Sequence, residues 1–128
     1  MSVPRELKYT KDHEWARVVD EHLIIVGVTD YAQEQLGDIV YVEVPTAGEE
    51  ITQNEPFGSV ESTKSVSDLI SPITGVVQEG NTELLNTPQL LNEDAYGDGW
   101  IMKVSAESLD ELDELMSAQE YEEYVADL

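Results

Sequence analysis

Apolar residues along this chain come in short alternating bursts separated by turn-forming clusters, a pattern of many short strands rather than long helices. Residues 7–19 read as one or two strands, with Trp15, Arg17 and Val19 on one face and Glu14, Ala16 and Val18 on the other. Asp20-Glu21-His22 turns the chain into residues 23–28, apolar on both faces and so expected at the centre of a sheet. Asp30 with Gln33 three residues on has the spacing of a capping box. Residues 31–36 are therefore predicted as a short helix that Gly37 stops. Residues 39–44 alternate again and end at Pro45-Thr46-Ala47-Gly48.

Residues 57–75 hold two apolar-bearing runs around the polar centre Ser62-Thr63-Lys64-Ser65. That arrangement predicts a β-hairpin whose loop is built on a type I turn, with Lys64 at or beside the tip. Beyond it come Val76-Val77, a turn at Gly80-Asn81, the pairs Leu84-Leu85 and Leu90-Leu91, and a last strand over 100–104. Gly48 to Pro56 and Asn81 to Pro88 are loosely alike, a weak internal repeat compatible with two strand layers. The C-terminal segment, about 106–126, switches to helical spacing. Ser108 with Glu111 and Ser117 with Glu120 are two further capping-box signatures, so two short helices are expected with a break near Ser117. The second would carry Tyr121, Tyr124 and Val125.

Composition narrows the chemistry. The 128 residues, 41% of them hydrophobic, suit one domain with a real core, read as spanning 1–128. There are no cysteines, so any thiol chemistry must arrive on a cofactor. Six Lys and Arg against 28 Asp and Glu give a net charge of −22, which argues against nucleic-acid partners and anionic membrane surfaces. No apolar run approaches the ~20 residues of a membrane helix. The N-terminus has neither an apolar signal core nor a transit-peptide composition, so the cytoplasm is the simplest location.

Between Arg17 and Lys103 the only basic side chain is Lys64. Other constellations carry little. His13 and His22 lack metal-ligand spacing and read as structural. The run beginning at Asp94 has Tyr96 at the third position and Ser105 where a calcium loop needs its bidentate Glu. It also lacks the third glycine of a dinucleotide fingerprint. Acid pairs such as Glu49-Glu50 mean little among 28 carboxylates, and no serine sits in a nucleophile elbow.

Val60-Glu61-Ser62-Thr63-Lys64, Ser67-Asp68-Leu69 and Ser71-Pro72-Ile73-Thr74-Gly75 resemble the lipoylation hairpin of glycine cleavage system H-proteins. His13-Glu14-Trp15, the block from Gly27 to Val40, Leu91-Asn92, and Tyr96-Gly97-Asp98-Gly99-Trp100 resemble the same family in order along nearly the whole chain. The resemblance implies a mainly β fold, a lipoyl/biotinyl-type β-sandwich (barrel-sandwich hybrid) with flanking helices. It implies lipoate in amide linkage on Lys64. Glu61 would help the lipoate-attaching enzymes recognise the hairpin, and Gly48 and Gly75, at spacings that recur in lipoyl domains, would supply tight turns that present the lysine. Biotin carriers usually bracket their lysine with methionines; Thr63 and Ser65 stand here instead, favouring lipoate.

The implied role is that of a non-catalytic carrier. A PLP-dependent glycine decarboxylase loads the aminomethyl group of glycine onto the arm, an aminomethyltransferase removes it, and dihydrolipoamide dehydrogenase reoxidises the dithiol. Tethering raises the effective concentration of cargo at each partner, and the carrier is expected to be a monomer. Family members fold the loaded arm into a cleft on their own surface, where a cationic amine wants carboxylates. Glu14 and Asp68 are the expected acceptors, with Asp12 as a third. Two alternatives stay open: a relay donating lipoate to other lipoyl-dependent complexes, and an acidic interaction domain never modified. The acidity itself has two readings, steering toward basic partner surfaces or adaptation to a salty cytoplasm that screens carboxylate repulsion. Under the second, thermal midpoints should rise from millimolar to multimolar salt; equal midpoints count against it.

Overall fold

The computed structural model describes residues 2–128. Strands β1 (Lys8–Tyr9), β2 (Glu14–Val18) and β3 (Leu23–Val28) are followed by helix α1 (Asp30–Leu36) and strand β4 (Ile39–Glu43). Next come β5 (Glu50–Ile51), β6 (Pro56–Ser62), β7 (Val66–Ile70) and β8 (Gly75–Gly80). Two single helical turns, α2 (Glu83–Asn86) and α3 (Leu90–Glu93), precede β9 (Met102–Ala106), a 3-10 helix (Leu109–Glu114) and α4 (Ala118–Ala126). All ladders are antiparallel and form two sheets, ordered β1-β2-β3-β9-β8-β5 and β4-β6-β7. As its apolar run on both faces predicts, β3 lies inside the larger sheet.

Burial follows strand alternation. Ala16, Ile24, Val26, Val42, Val60, Leu69, Val77 and Val104 fill the main core. The opposite face of β1 and β2 is covered as well: Leu7, Tyr9 and Trp15 pack with Ala118 and Tyr121 of α4 in a second cluster. Glu14, Trp15 and Ala16 are therefore all buried, at 1%, 0% and 1% exposure, although they alternate between faces. Gly27 pairs with Trp15 in the ladder and leaves room for the indole, whose Nε1 donates to the Ala95 carbonyl at 3.0 Å.

Several local expectations shift for identifiable reasons. Helix α1 is capped by Thr29, whose hydroxyl accepts from Ala32 N, so Asp30 is already helical and its carboxylate accepts from the Gln33 side chain instead. Ser117 and Glu120 make the full reciprocal box. Ser108 and Glu111 do not: Glu111 turns away to take the Thr74 amide and hydroxyl, both at 2.7 Å, and the segment winds as a 3-10 helix. Met116 leaves helical geometry to exchange backbone hydrogen bonds with Tyr9. The last strand starts at Met102 rather than Trp100, although the Ile101 backbone is still bonded to Val26 and Asn81 at the sheet margin. The weak repeat does not hold as two copies, since its first half forms β5 while its second forms the turn α2. An alanine methyl at Gly27 would lie 2.5 Å from Trp15 Cζ2. Gly27→Ala should thus destabilise the fold by about 1–3 kcal/mol, seen as a thermal midpoint roughly 4–10 °C lower.

Candidate functional site

The β6–β7 hairpin is held at its tip by one side chain. Ser62 N donates to the Ser65 carbonyl at 2.8 Å, while Ser62 Oγ accepts from both Lys64 N and Ser65 N at 3.1 Å. Strand β6 therefore runs through Ser62, leaving a tighter tip than a four-residue polar centre. Neither Thr63 nor Lys64 takes a positive φ, so a primed turn is excluded and the serine hydroxyl does the turning. Thr63 N donates to the Asp38 carbonyl at 3.1 Å and ties the tip to the segment after α1.

Lys64 is exposed there and makes no ion pair among the described residues. Its alkyl stem crosses the C-terminal end of α1, where a Cβ on Gly37 would stand 3.1 Å from Lys64 Cε. Gly37 has φ 82, so its conformation calls for glycine, and the absent side chain leaves the lysine stem close to the backbone. Asn92 secures this corner by donating to the Gly37 carbonyl and Gln33 Oε1 and accepting from Ile39 N. Glu61 is exposed on the ladder opposite Val66, close to the tip.

Gly75 opens β8 in the other sheet, opposite Ile51 of β5, and Gly48 lies in the turn before β5 with its N–H donated to the Val77 carbonyl at 2.8 Å. Gly48 has φ 97 and makes the turn expected of it. Gly75 makes no turn of that kind. Its φ is not positive, and a Cβ there would collide with the Ser105 carbonyl, so its use is the close approach of β8 to β9.

Beside the hairpin a cleft of about 270 Å³ opens between α1 and β7. Tyr31, Ala32, Gln35 and Leu36 line it from the helix, and Ser67, Asp68 and Leu69 from the strand. Asp12, His13 and Glu14 close one end over Val28 and Val60. The three acids singled out from sequence thus meet at one cleft, but unequally. Asp68 is exposed at the rim; strand alternation turns its neighbours Ser67 and Leu69 toward the wall. Asp12 is exposed in the loop, its N–H donated to Thr10 Oγ1.

Glu14 is the buried one. Its Oε1 accepts from the Thr10 hydroxyl at 3.1 Å and its Oε2 from Ile70 N at 3.0 Å, a bond between the two sheets. Burial outweighs these two hydrogen bonds and pushes its carboxyl up to about 8, with Asp12 adding to the rise. His13, read from sequence as merely structural, is a wall residue with φ 68. Its place next to Glu14 in the His13-Glu14-Trp15 motif was the signal available. His22 is exposed, and among the described residues no cluster of His, Asp and Glu could hold a metal. No helix among them is long and apolar enough to cross a membrane.

The family model described as Glycine cleavage H-protein matches residues 7–128. The glycine cleavage system H protein of Geobacillus kaustophilus is 52% identical over 122 residues, covering 95% of each chain. That of Carboxydothermus hydrogenoformans is 51% identical over 120 residues, covering 94% of this chain and 92% of its own. Among solved structures, a glycine cleavage system H protein from Mycobacterium marinum superposes with a TM-score of 0.86 at 38% identity, covering 98% of both chains.

The raised carboxyl of Glu14 makes stability depend on pH. Its folded value, about 8, lies above the ordinary 4.5. The contribution is full below 4.5 and is lost as pH rises through 8, where an ion is buried, on the order of 3–5 kcal/mol at most. Glu14→Gln stays neutral throughout. In denaturant melts from pH 5 to 9 the variant should therefore gain on the wild type as pH rises; a difference independent of pH would mean Glu14 is ionised throughout.

Proposed function

Because the chain belongs to the glycine cleavage H-protein family, we propose that Lys64 is the residue on which it carries lipoate. The protein is a lipoyl carrier of the glycine cleavage system, moving the aminomethyl group of glycine between that system's components. The observation supporting Lys64 is its placement: an exposed amine without an ion-pair partner among the described residues, at a serine-braced hairpin tip, on the end of the helix that walls the cleft. When bound, lipoate supplies a disulfide that can take up the aminomethyl group and be restored by oxidation of the dithiol.

The chain's own residues serve that chemistry by presentation and shelter. Amide formation removes the Lys64 charge, and Gly37 leaves the stem a bare surface along the end of α1. Glu14 lies beside Ile70, at the end of β7 remote from the tip. A carboxylate buried there suits an ammonium, and a cation facing it favours release of the Glu14 proton. Asp68 and Asp12 add negative potential at the rim. Glu61, Gly48 and Gly75 are assigned to recognition by lipoate-attaching enzymes, Glu61 from its exposed place near the tip and the glycines through the backbone they shape.

On this reading residues 1–128 act as one carrier domain, monomeric and cytoplasmic, with no catalytic group of its own. Its partners are glycine decarboxylase, aminomethyltransferase and dihydrolipoamide dehydrogenase. The intact mass of protein made with a lipoate-attaching enzyme should show one lipoyl increment on the wild type and none on Lys64→Arg. The variant should also lose glycine-dependent activity in the reconstituted system. A lipoyl increment retained by Lys64→Arg would move attachment to Lys8, Lys11 or Lys103 and refute the assignment.

A further inference from the structure

The cleft wall contains a buried polar chain that its carboxylates do not need. His13 Nδ1 lies 2.8 Å from the Tyr121 hydroxyl, which lies 2.8 Å from Thr29 Oγ1. Thr29 and Tyr121 both have 0% exposure. Thr29 Oγ1 already accepts from Ala32 N, so its one proton needs an acceptor, and among the described residues only Tyr121 supplies it. Tyr121 must then donate its own proton to His13 Nδ1. The reverse order strands a buried hydroxyl proton, an arrangement that folded proteins avoid. His13 is accordingly neutral, with its proton on Nε2, a nitrogen with no protein partner among the described residues.

The backbone supports the same placement. His13 donates its N–H to the Thr10 carbonyl, and its own carbonyl accepts from Thr29 N, so its left-handed conformation is fastened on both sides. Its ring packs against Tyr31, Tyr121 and Tyr124 at centroid distances of 4.7, 5.8 and 6.0 Å. We propose that Tyr121, carried on α4, is a positioning residue for the cleft: it holds His13 as the neutral Nε2–H tautomer beside Glu14. The wall then carries no imidazolium to compete with a cationic cargo. This rests on the reading of the cleft as the cargo's shelter.

The groups facing His13 are Asp12 and Glu14 in its own segment, Tyr31 from α1, Asp68 across the cleft on β7, and Tyr121 and Tyr124 from α4. Of these, Asp12 favours a protonated ring, Glu14 is itself neutral below about pH 8, and burial and the hydroxyl chain oppose protonation. Burial is the larger influence and lowers the His13 value below 6.5, with Asp12 opposing.

The tautomer can be read on the unmodified protein from imidazole 15N shifts, with no variant required. Nε2–H is expected in the wild type at pH 8, and an Nδ1–H signal overturns the proposal. Tyr121→Phe should mix the tautomers and move the His13 midpoint up toward 6.5, while Thr29→Ser, which keeps the hydroxyl, should match the wild type. An unchanged midpoint in Tyr121→Phe overturns the proposal too. In protein loaded with the aminomethyl group, Tyr121→Phe should lose it roughly fivefold faster near pH 6.5, the worth of about one net hydrogen bond. The two rates should converge above pH 8; equal rates at both pH values refute the link to shelter. Glu14→Ala separates the premise: if it too loses cargo no faster than wild type, the shelter reading fails, whatever tautomer His13 adopts.

Discussion

The Glu14 carboxyl joins the two sheets, and it does so from a position that resists ionisation. It sits on β2 of the larger sheet and accepts from Ile70 N on β7 of the smaller one, with the Thr10 hydroxyl on its other oxygen. Two neutral donors are fewer than a buried carboxylate needs, which is why burial prevails and the proton stays on to about pH 8. A well-packed apolar residue would bridge the sheets with less penalty. On the proposed reading of the cleft, the acid is there for something cationic that comes to it. Stability and carrier function therefore pull in opposite directions at a single side chain.

The same division runs through the charged surface. Twenty-eight acids meet six bases, and among the described residues only Arg5–Glu122 and Lys103–Glu79 form ion pairs. The remaining carboxylates are solvated or hydrogen-bonded, and their mutual repulsion falls with added salt. Lys64 stands apart from these pairs. Its stem follows Gly37 at the C-terminal end of α1, the end of a helix that favours a cation. Amide formation would give up that small attraction, so the free lysine has only a weak hold to lose on modification.

Sequence periodicity revealed the strands, the hairpin and the terminal helix because each is specified locally. The Ser117–Glu120 box closed as written, since nothing else reaches either side chain. Glu111 had the same local spacing, but Thr74, 37 residues away, offered two donors at once. Gly75 carried the spacing of a turn glycine yet serves a backbone contact with a strand about thirty residues on. The acids of the cleft were legible only through family resemblance. How its walls come together was not legible, because they are assembled from distant parts of the chain: Ile70 lies 56 residues from Glu14 and Tyr121 108 from His13. No local pattern encodes such a meeting.

A carrier must also let go. A permanently ionised, solvated carboxylate would attract an ammonium weakly and in any position, while a permanently neutral group would hardly attract it. A buried acid whose proton leaves near pH 8 lies between these limits. Part of the energy of pairing is spent on removing that proton, so the docked state is favoured only modestly over the free one. A shelter of this kind is reversible by construction, and a partner that offers the cargo a better counter-charge can draw it out without any change in the carrier's fold. If Glu14 is the acceptor proposed for the cargo, its poor solvation sets how firmly the cleft can hold.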